Sequence, residues 1–379
     1  MSVWLIQPRD PLIFRDGKPF NATPGAEAKS LPFPHPSTLA GGVRTRAGMK
    51  AGQFDSAQID RLLQLSIRGP LLVSLAETGA VTTWYLPAPA DCLIIRDKED
   101  PSAGKRLWVR PIEIPAGATT NLELGVPVST NPVVKQKPHT QAPRFWNWET
   151  MQAWLKQPHG DSSPVALSTL GISGLTGESR VHVRMNAETK TAAEGFLFQT
   201  SGLEFSTTPP EKNPKVLSQF QQYALAVETD AELQPGIDFL GGERRIVTWA
   251  PSDRPFPTCP AEIRQAIIAQ KHCRLLLATP ALFTQGYLPT WLHECIPGLT
   301  VTFVAAALPR YQGLSGWDAR KGTSKASRRL APAGSVYFLS LKGDEQSISH
   351  FIDAAWLNPV SDAAQDRREI GRASCRERV

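Results

Sequence analysis

Three observations predict an α+β chain of two domains. Short alternating runs of apolar and polar residues, the mark of half-buried strands, recur along its whole length. Short segments of helical periodicity interleave with them, and the grouping of helix with hairpin occurs twice. Finally, 379 residues with 41% hydrophobic and 20% charged content can bury two cores and are too apolar for a disordered chain.

Residues 3–7 read as a buried strand, followed over 8–36 by a loop rich in Pro, Phe and Arg. Ser37 is placed to cap a helix carrying Leu39, Val43 and Ala47. Gly41 and Gly42 inside it cost about 1 kcal/mol each relative to alanine. Something therefore approaches that turn closely, either a neighbouring strand or an RNA backbone. Asp55 with Gln58 has the pattern of a capping box ahead of a second helix on Ile59, Leu62 and Leu63. Leu71, Val73 and Leu75 alternate along a strand that turns at Thr78 and Gly79 into residues 81–86, a hairpin.

Residues 111–145 are rich in Pro, Thr and Asn and read as an irregular excursion, with a tryptophan-rich helix over 146–156 after it. A second Pro-rich break covers 207–215. Beyond it come strands at 223–228 and 275–279, a helix at 262–271 on Ile263, Ile267 and Ile268, and buried strands at 301–308 and 335–341. This order predicts two α+β sandwiches of ferredoxin-like (RRM-like) type, over residues 1–215 and 216–368.

The last eleven residues, 369–379, match the in-frame translation of a common sequencing adapter, codon by codon. The reading is that the natural chain is interrupted near Arg368, so this stretch is set aside as a scar would be. A genuine basic tail is the alternative.

No apolar run has the length needed to span a bilayer, and residues 1–10 lack a secretory n-region and cleavage site. A cytoplasmic protein with no membrane partner is expected. Cys92, Cys259, Cys273, Cys295 and Cys375 are scattered without a C-x-x-C pair, which argues against a zinc ribbon and gives a disulfide framework no support. His272–Cys273 and His293–Glu294–Cys295 look like ligand pairs but read as ordinary residues; neither metal nor cofactor is expected. The net charge of +6 favours an anionic partner only weakly, so the placement of charge matters more.

Residues 180–185, Arg-Val-His-Val-Arg-Met, carry the best physical signal. Side chains alternate along a strand, so Val181, Val183 and Met185 should enter the core while Arg180, His182 and Arg184 line up outward, about 7 Å apart. That face fits a nucleic-acid backbone, or a solvated sheet edge that resists aggregation. In residues 239–245, Gly241 and Gly242 precede Arg244 and Arg245. Glycine-exposed N–H groups and forked guanidinium donors can meet phosphates, and a plain tight turn is the alternative. The Walker spacing is absent. A third basic stretch, residues 313–338, holds Arg320, Lys321, Lys325, Arg328 and Arg329, with no carboxylate after Asp318. Trp317 either stacks on a base or anchors a buried hinge.

Catalytic patterns are poor: no G-x-S-x-G, H-E-x-x-H or paired-carboxylate motif stands out. His35 or His182 could act as a general base in metal-independent RNA cleavage, although a lone histidine on a loop or strand face usually does neither. The aromatic RNP1 signature is missing.

Five collinear segments together resemble the RAMP superfamily of CRISPR-associated proteins, and within it the family of the third subunit of the type III-B Cmr effector complex. They are residues 11–20 (PLIFRDGKPF), 33–45 (FPHPSTLAGGVRT), 180–183 (RVHV), 240–245 (LGGERR) and 316–337, which opens on Gly-Trp-Asp. The resemblance implies two ferredoxin-like domains with a protruding β-hairpin and no catalytic activity of its own. It also implies crRNA, the large polymerase/cyclase-like subunit and a backbone RAMP subunit as partners, with the 5′ tag of crRNA held at the base of the complex. Gly241, Gly242, Arg244 and Arg245 match the family's glycine-rich loop, and Arg180, His182 and Arg184 the start of its hairpin. With Arg44 and the basic residues Lys321, Lys325, Arg328 and Arg329, these are the candidate RNA contacts. RAMP proteins commonly close with a glycine-rich turn and a final strand after the position of residues 366–368, so the second domain is expected to lack that strand and leave a sheet edge open.

Overall fold

Apolar residues on both faces put the amino-terminal strand Ser2–Pro8 in the middle of a sheet: Val3, Trp4, Leu5 and Ile6 are all buried. It is flanked antiparallel by Gln221–Thr229 and Arg245–Pro251, with Leu5 opposite Ala226 on one side and Ala250 on the other. The structure is a computed structural model describing residues 1–15, 27–28, 30–50, 53–114, 116–131, 133–158, 163–207, 221–293, 296–315, 317–318, 323–324, 326–362 and 372–376. It is a mixed α/β chain built mostly of sheets. Two compact units are each assembled from separated stretches: Met1–Thr82, Leu175–Pro255 and Gly313–Arg328 in the first; Thr83–Gly174, Phe256–Gln312 and Arg329–Val379 in the second.

In the first unit the sheet runs Ile67–Leu75, Gln221–Thr229, Ser2–Pro8, Arg245–Pro251, Gly236–Leu240, every pair antiparallel. The turn expected at Thr78 and Gly79 is present: Gly79 takes φ +83° and its N–H donates to Ala76 O at 2.9 Å. Helix Pro36–Gly48 packs on Ile67–Leu75 through Leu39, Ala40 and Val43. Ser37 does not cap this helix. His35 holds the cap position without a side-chain bond, and Pro36, whose ring presets the helical φ, starts the first turn instead.

The two glycines of that helix differ. A Cβ on Gly42 would lie 2.9 Å from Leu240 Cδ1 and 3.8 Å from the Trp249 ring, so the close neighbour is a strand's side chains. Gly41 is exposed with nothing within 4 Å of its Cβ position. Gly41→Ala is expected to raise stability by about 0.5–1 kcal/mol, read as a higher Tm; an unchanged or lower Tm would show that this turn is covered.

Thr176–Met185 and Ala192–Glu204 form a long antiparallel hairpin, extended by a parallel pairing to Glu27–Ala28. Alternation is present and Arg180 and Arg184 are exposed as expected, but the opposite face does not enter a core. Val181, Val183 and Met185 are 65%, 44% and 55% exposed, while His182 is half-buried, stacked on Phe198 and bonded to Thr200 Oγ1 at 2.9 Å. Period two fixes which side chains share a face, not which face something covers.

The second unit's main sheet runs Thr300–Ala307, Val336–Lys342, His272–Thr279, Arg372–Arg376, Asn358–Pro359, all antiparallel. Helix Ala261–Gln270 places Ile263 and Ile267 in its core, and helix Glu345–Ala355 adds Ile348, Phe351 and Ile352. The expected open edge is corrected here, the strand that fills it being drawn from the stretch set aside above. Arg372–Arg376 occupies that edge, paired to Arg274 through Thr279. A strand edge presents N–H and C=O groups that any extended segment can satisfy, whatever its side chains. A smaller sheet from Cys92–Arg96, Ala103–Pro111, Val128–Thr130 and Val165–Ala166 completes the unit, and Phe145–Asn147 pairs antiparallel with Val81–Pro87 and Gly171–Ile172. Among the described residues no helix is long and apolar enough to cross a membrane.

Candidate nucleic-acid interface

The glycine loop joins Gly236–Leu240 to Arg245–Pro251, whose ends meet at Leu240 opposite Arg245. Four residues must reverse the chain, and three of them take left-handed backbone: Gly241 at φ +77°, Glu243 at +59° and Arg244 at +51°. Two non-glycine residues in that region are costly and mark a conformation held by its surroundings. The loop is clamped to the segment that follows the amino-terminal strand, because Gly242 N–H donates to Ile13 O at 2.7 Å. A Cβ on Gly241 would lie 2.6 Å from that same carbonyl. The Gly242 N–H expected to face phosphate is thus already used.

The arginines divide by role. Arg245 is only 15% exposed, with Nη2 on Glu243 Oε2 at 2.9 Å, and Arg15 approaches the same carboxylate at 3.8 Å. Arg244 is exposed, and its guanidinium lies 4.5 Å from the centre of the Phe239 ring. Two guanidinium groups, Arg15 and Arg245, thus approach the Glu243 carboxylate, and a third, Arg244, lies over the Phe239 ring at the same loop.

On the hairpin, Arg180 and His182 stand opposite Thr200 and Phe198 on one face. Arg180 Nε bonds Glu178 Oε1 at 2.7 Å. That bond and the charge of Glu178 hold the Arg180 guanidinium above its ordinary value, with Asp10 and Glu204 adding to the effect. Asp10 links this face to the loop's strand, since its carboxylate also accepts the Ile246 N–H at 3.0 Å. Arg184 is exposed near the tip.

Other candidates fall elsewhere. Arg44 is turned inward, its Nε donating to Leu62 O at 3.2 Å, which ties two helices together. Arg328 and Arg329 are exposed, and Arg329 lies 4.9 Å from the ring centre of Tyr311, itself 52% exposed. Lys321 and Lys325 lie outside the described residues, as do Asp16 to Phe20 of the first resembling segment and Gly316 of the last. Phe239 and Tyr311 were missed by the sequence reading. The signal for Phe239 was available in the alternation of Ile237 and Phe239 beside two arginines.

His35 is buried, and burial lowers its pKa from 6.5. A histidine that stays neutral when folded contributes stability that is present above about 6.5 and lost as pH falls below it. Denaturation at pH 7.5 and 5.5 should show that His35→Leu reduces this loss on acidification; an unchanged pH dependence would remove His35 as its source. Among the described residues no group of three or more His, Cys, Asp or Glu is placed to hold a metal ion.

A family model for CRISPR-associated proteins matches residues 4–375 and so places the chain in that class. The chain belongs to the Cas_Cmr3 family. Solved structures of similar chains include one from the type III-B Cmr-beta complex bound to cognate target RNA and AMPPnP, at 15% identity and TM-score 0.46 over 93% of this chain and 87% of that one. Another, from Cmr-beta bound to cognate target RNA, has 15% identity and TM-score 0.47 over 89% and 86%. A chain of the Csm3–Csm4 subcomplex of the type III-A interference complex has 10% identity and TM-score 0.31 over 91% and 94%. No curated protein matches.

Proposed function

We propose that this chain is a non-catalytic RNA-binding subunit of a type III-B CRISPR RNA-guided interference complex in the cytoplasm. In this reading it holds the 5′ tag of crRNA and bridges the large polymerase/cyclase-like subunit to the backbone RAMP subunits. Its two ferredoxin-like domains form the body, and the hairpin is the protruding element. Family membership supports the setting. The chemistry rests on one observation: at a clamped loop Arg15 and Arg245 converge on the Glu243 carboxylate while Arg244 stands exposed over Phe239. That excess of forked cationic donors suits phosphate.

The test is binding of 5′-tag RNA to the purified chain at rising salt. The logarithm of affinity should fall linearly with the logarithm of salt, by about 0.7 for each phosphate neutralised on a single strand. Arg244→Glu should weaken binding and lose crRNA from the assembled complex, whereas Arg245→Glu should act chiefly on stability because its side chain braces Glu243. Salt-independent binding, or none, would leave a structural adaptor. The endoribonuclease reading predicts that the purified chain cleaves repeat RNA and that alanine at His35 or His182 stops it. The buried position of His35 counts against that reading, and intact repeat RNA after incubation is the expected result.

A further inference from the structure

The strands on either side of the glycine loop have one covered face and one open face. Leu240, Val247 and Trp249 are buried at 4%, 0% and 1% exposure, on the side approached by Gly42 of helix Pro36–Gly48. On the other side Ile237, Phe239 and Ile246 are 72%, 46% and 38% exposed, and Phe239 stands directly opposite Ile246. Thr248, opposite Ile237, accepts a hydrogen bond from Arg9 Nε at 3.1 Å, so Arg9 reaches this face as well. Arg244 lies over the Phe239 ring. Asp10 sits at the margin with its carboxylate engaged by the Ile246 N–H.

We infer that this outer face is a base-stacking platform for single-stranded RNA, built on Phe239 and Arg244 and flanked by Arg9. The inference rests on the RNA-binding reading above and adds residues to it. Two features favour RNA over an apolar protein surface. The face carries two guanidinium groups beside its three apolar side chains, and since the marginal Asp10 carboxylate is engaged by the Ile246 N–H, an apolar protein surface seated there would have to desolvate both cations. Secondly, the left-handed backbone at Glu243 and Arg244 delivers a planar cation onto an aromatic ring. Ring and guanidinium form two layers of a stack, and an unpaired base adds a third, since bases stack on aromatic rings and on guanidinium planes alike. Ile246 and Ile237 extend the apolar floor beneath the next base, and Arg9 meets the backbone.

The experiment compares the full chain with its Phe239→Ala and Phe239→Trp variants by fluorescence anisotropy. The probes are a labelled ten-nucleotide single-stranded RNA and an abasic strand of the same length. The parent should bind the base-bearing strand more tightly than the abasic one. Phe239→Ala should weaken RNA binding about 5- to 150-fold, leave the abasic strand unaffected and keep the parent's Tm; Phe239→Trp should restore affinity. Equal binding of RNA by Phe239→Ala and parent overturns the platform while leaving RNA binding intact. An equal loss on both strands also overturns it, because the ring would then act only through the phosphate contacts. A parent that binds neither strand removes the RNA-binding reading itself, a separate failure. If Phe239→Ala keeps RNA but releases a protein subunit of the complex, the face is a protein interface and the platform is wrong.

Discussion

Replacing Asp91 with alanine is expected to lower stability by about 3–5 kcal/mol. Asp91 and Arg274 are paired inside the second unit at 1% and 2% side-chain exposure. Asp91 Oδ2 accepts from Arg274 Nη1, and Oδ1 accepts from the indole N–H of Trp154 at 3.0 Å. The second guanidinium nitrogen of Arg274 donates to the main-chain carbonyls of Trp154 and Leu155, at 3.0 and 3.4 Å. This cluster pins strand His272–Thr279 to the end of helix Trp148–Lys156. Alanine at position 91 strands a buried cation and an indole donor at once, which costs far more than the pair itself contributes. A double change, Asp91→Leu with Arg274→Met, removes both charges and should recover most of the loss. Chemical denaturation of Asp91→Leu, Arg274→Met and the double variant closes the cycle. A loss under about 1 kcal/mol for Asp91→Ala, the range of an exposed pair, would show that water reaches the site.

Local pattern carried the elements whose burial is set by their own period. Strand Ser2–Pro8, the turn at Gly79 and helix Trp148–Lys156, capped by Asn147 through the Thr150 N–H, were legible because each depends on a few adjacent residues. Helix Glu345–Ala355 was legible too but passed over: Asp344 caps it through the Ser347 N–H, and Ile348, Phe351, Ile352 and Ala355 make its stripe. What could not be read is what lies across a face. The same alternation that correctly groups Arg180 with His182 says nothing of whether Val181 meets a core, and here it meets solvent. Arg44 looked like a surface cation, and its partner, the Leu62 carbonyl, is eighteen residues away. The glycine loop is the sharpest case. Glycine followed by arginine is visible in the sequence, but the use of the Gly242 N–H is decided by Ile13 at the other end of the unit.

That clamp sets the second large effect. Gly241→Ala is expected to cost about 2 kcal/mol or more and to weaken RNA binding about tenfold with no change in net charge. An L-residue held at φ +77° costs about 1–2 kcal/mol by itself. Its Cβ would also meet Ile13 O at 2.6 Å. That carbonyl cannot simply withdraw, because it accepts the Gly242 N–H. The loop must therefore shift, carrying Arg244 off Phe239. Arg244→Gln removes one phosphate contact and should reduce the salt slope by about 0.7; Gly241→Ala should reduce it similarly although every charge is retained. Thermal melts and salt titrations of the two variants separate charge from position. If Gly241→Ala melts lower but binds RNA with the parent's affinity and slope, Arg244 does not depend on the clamp, and the loop's geometry serves the fold alone.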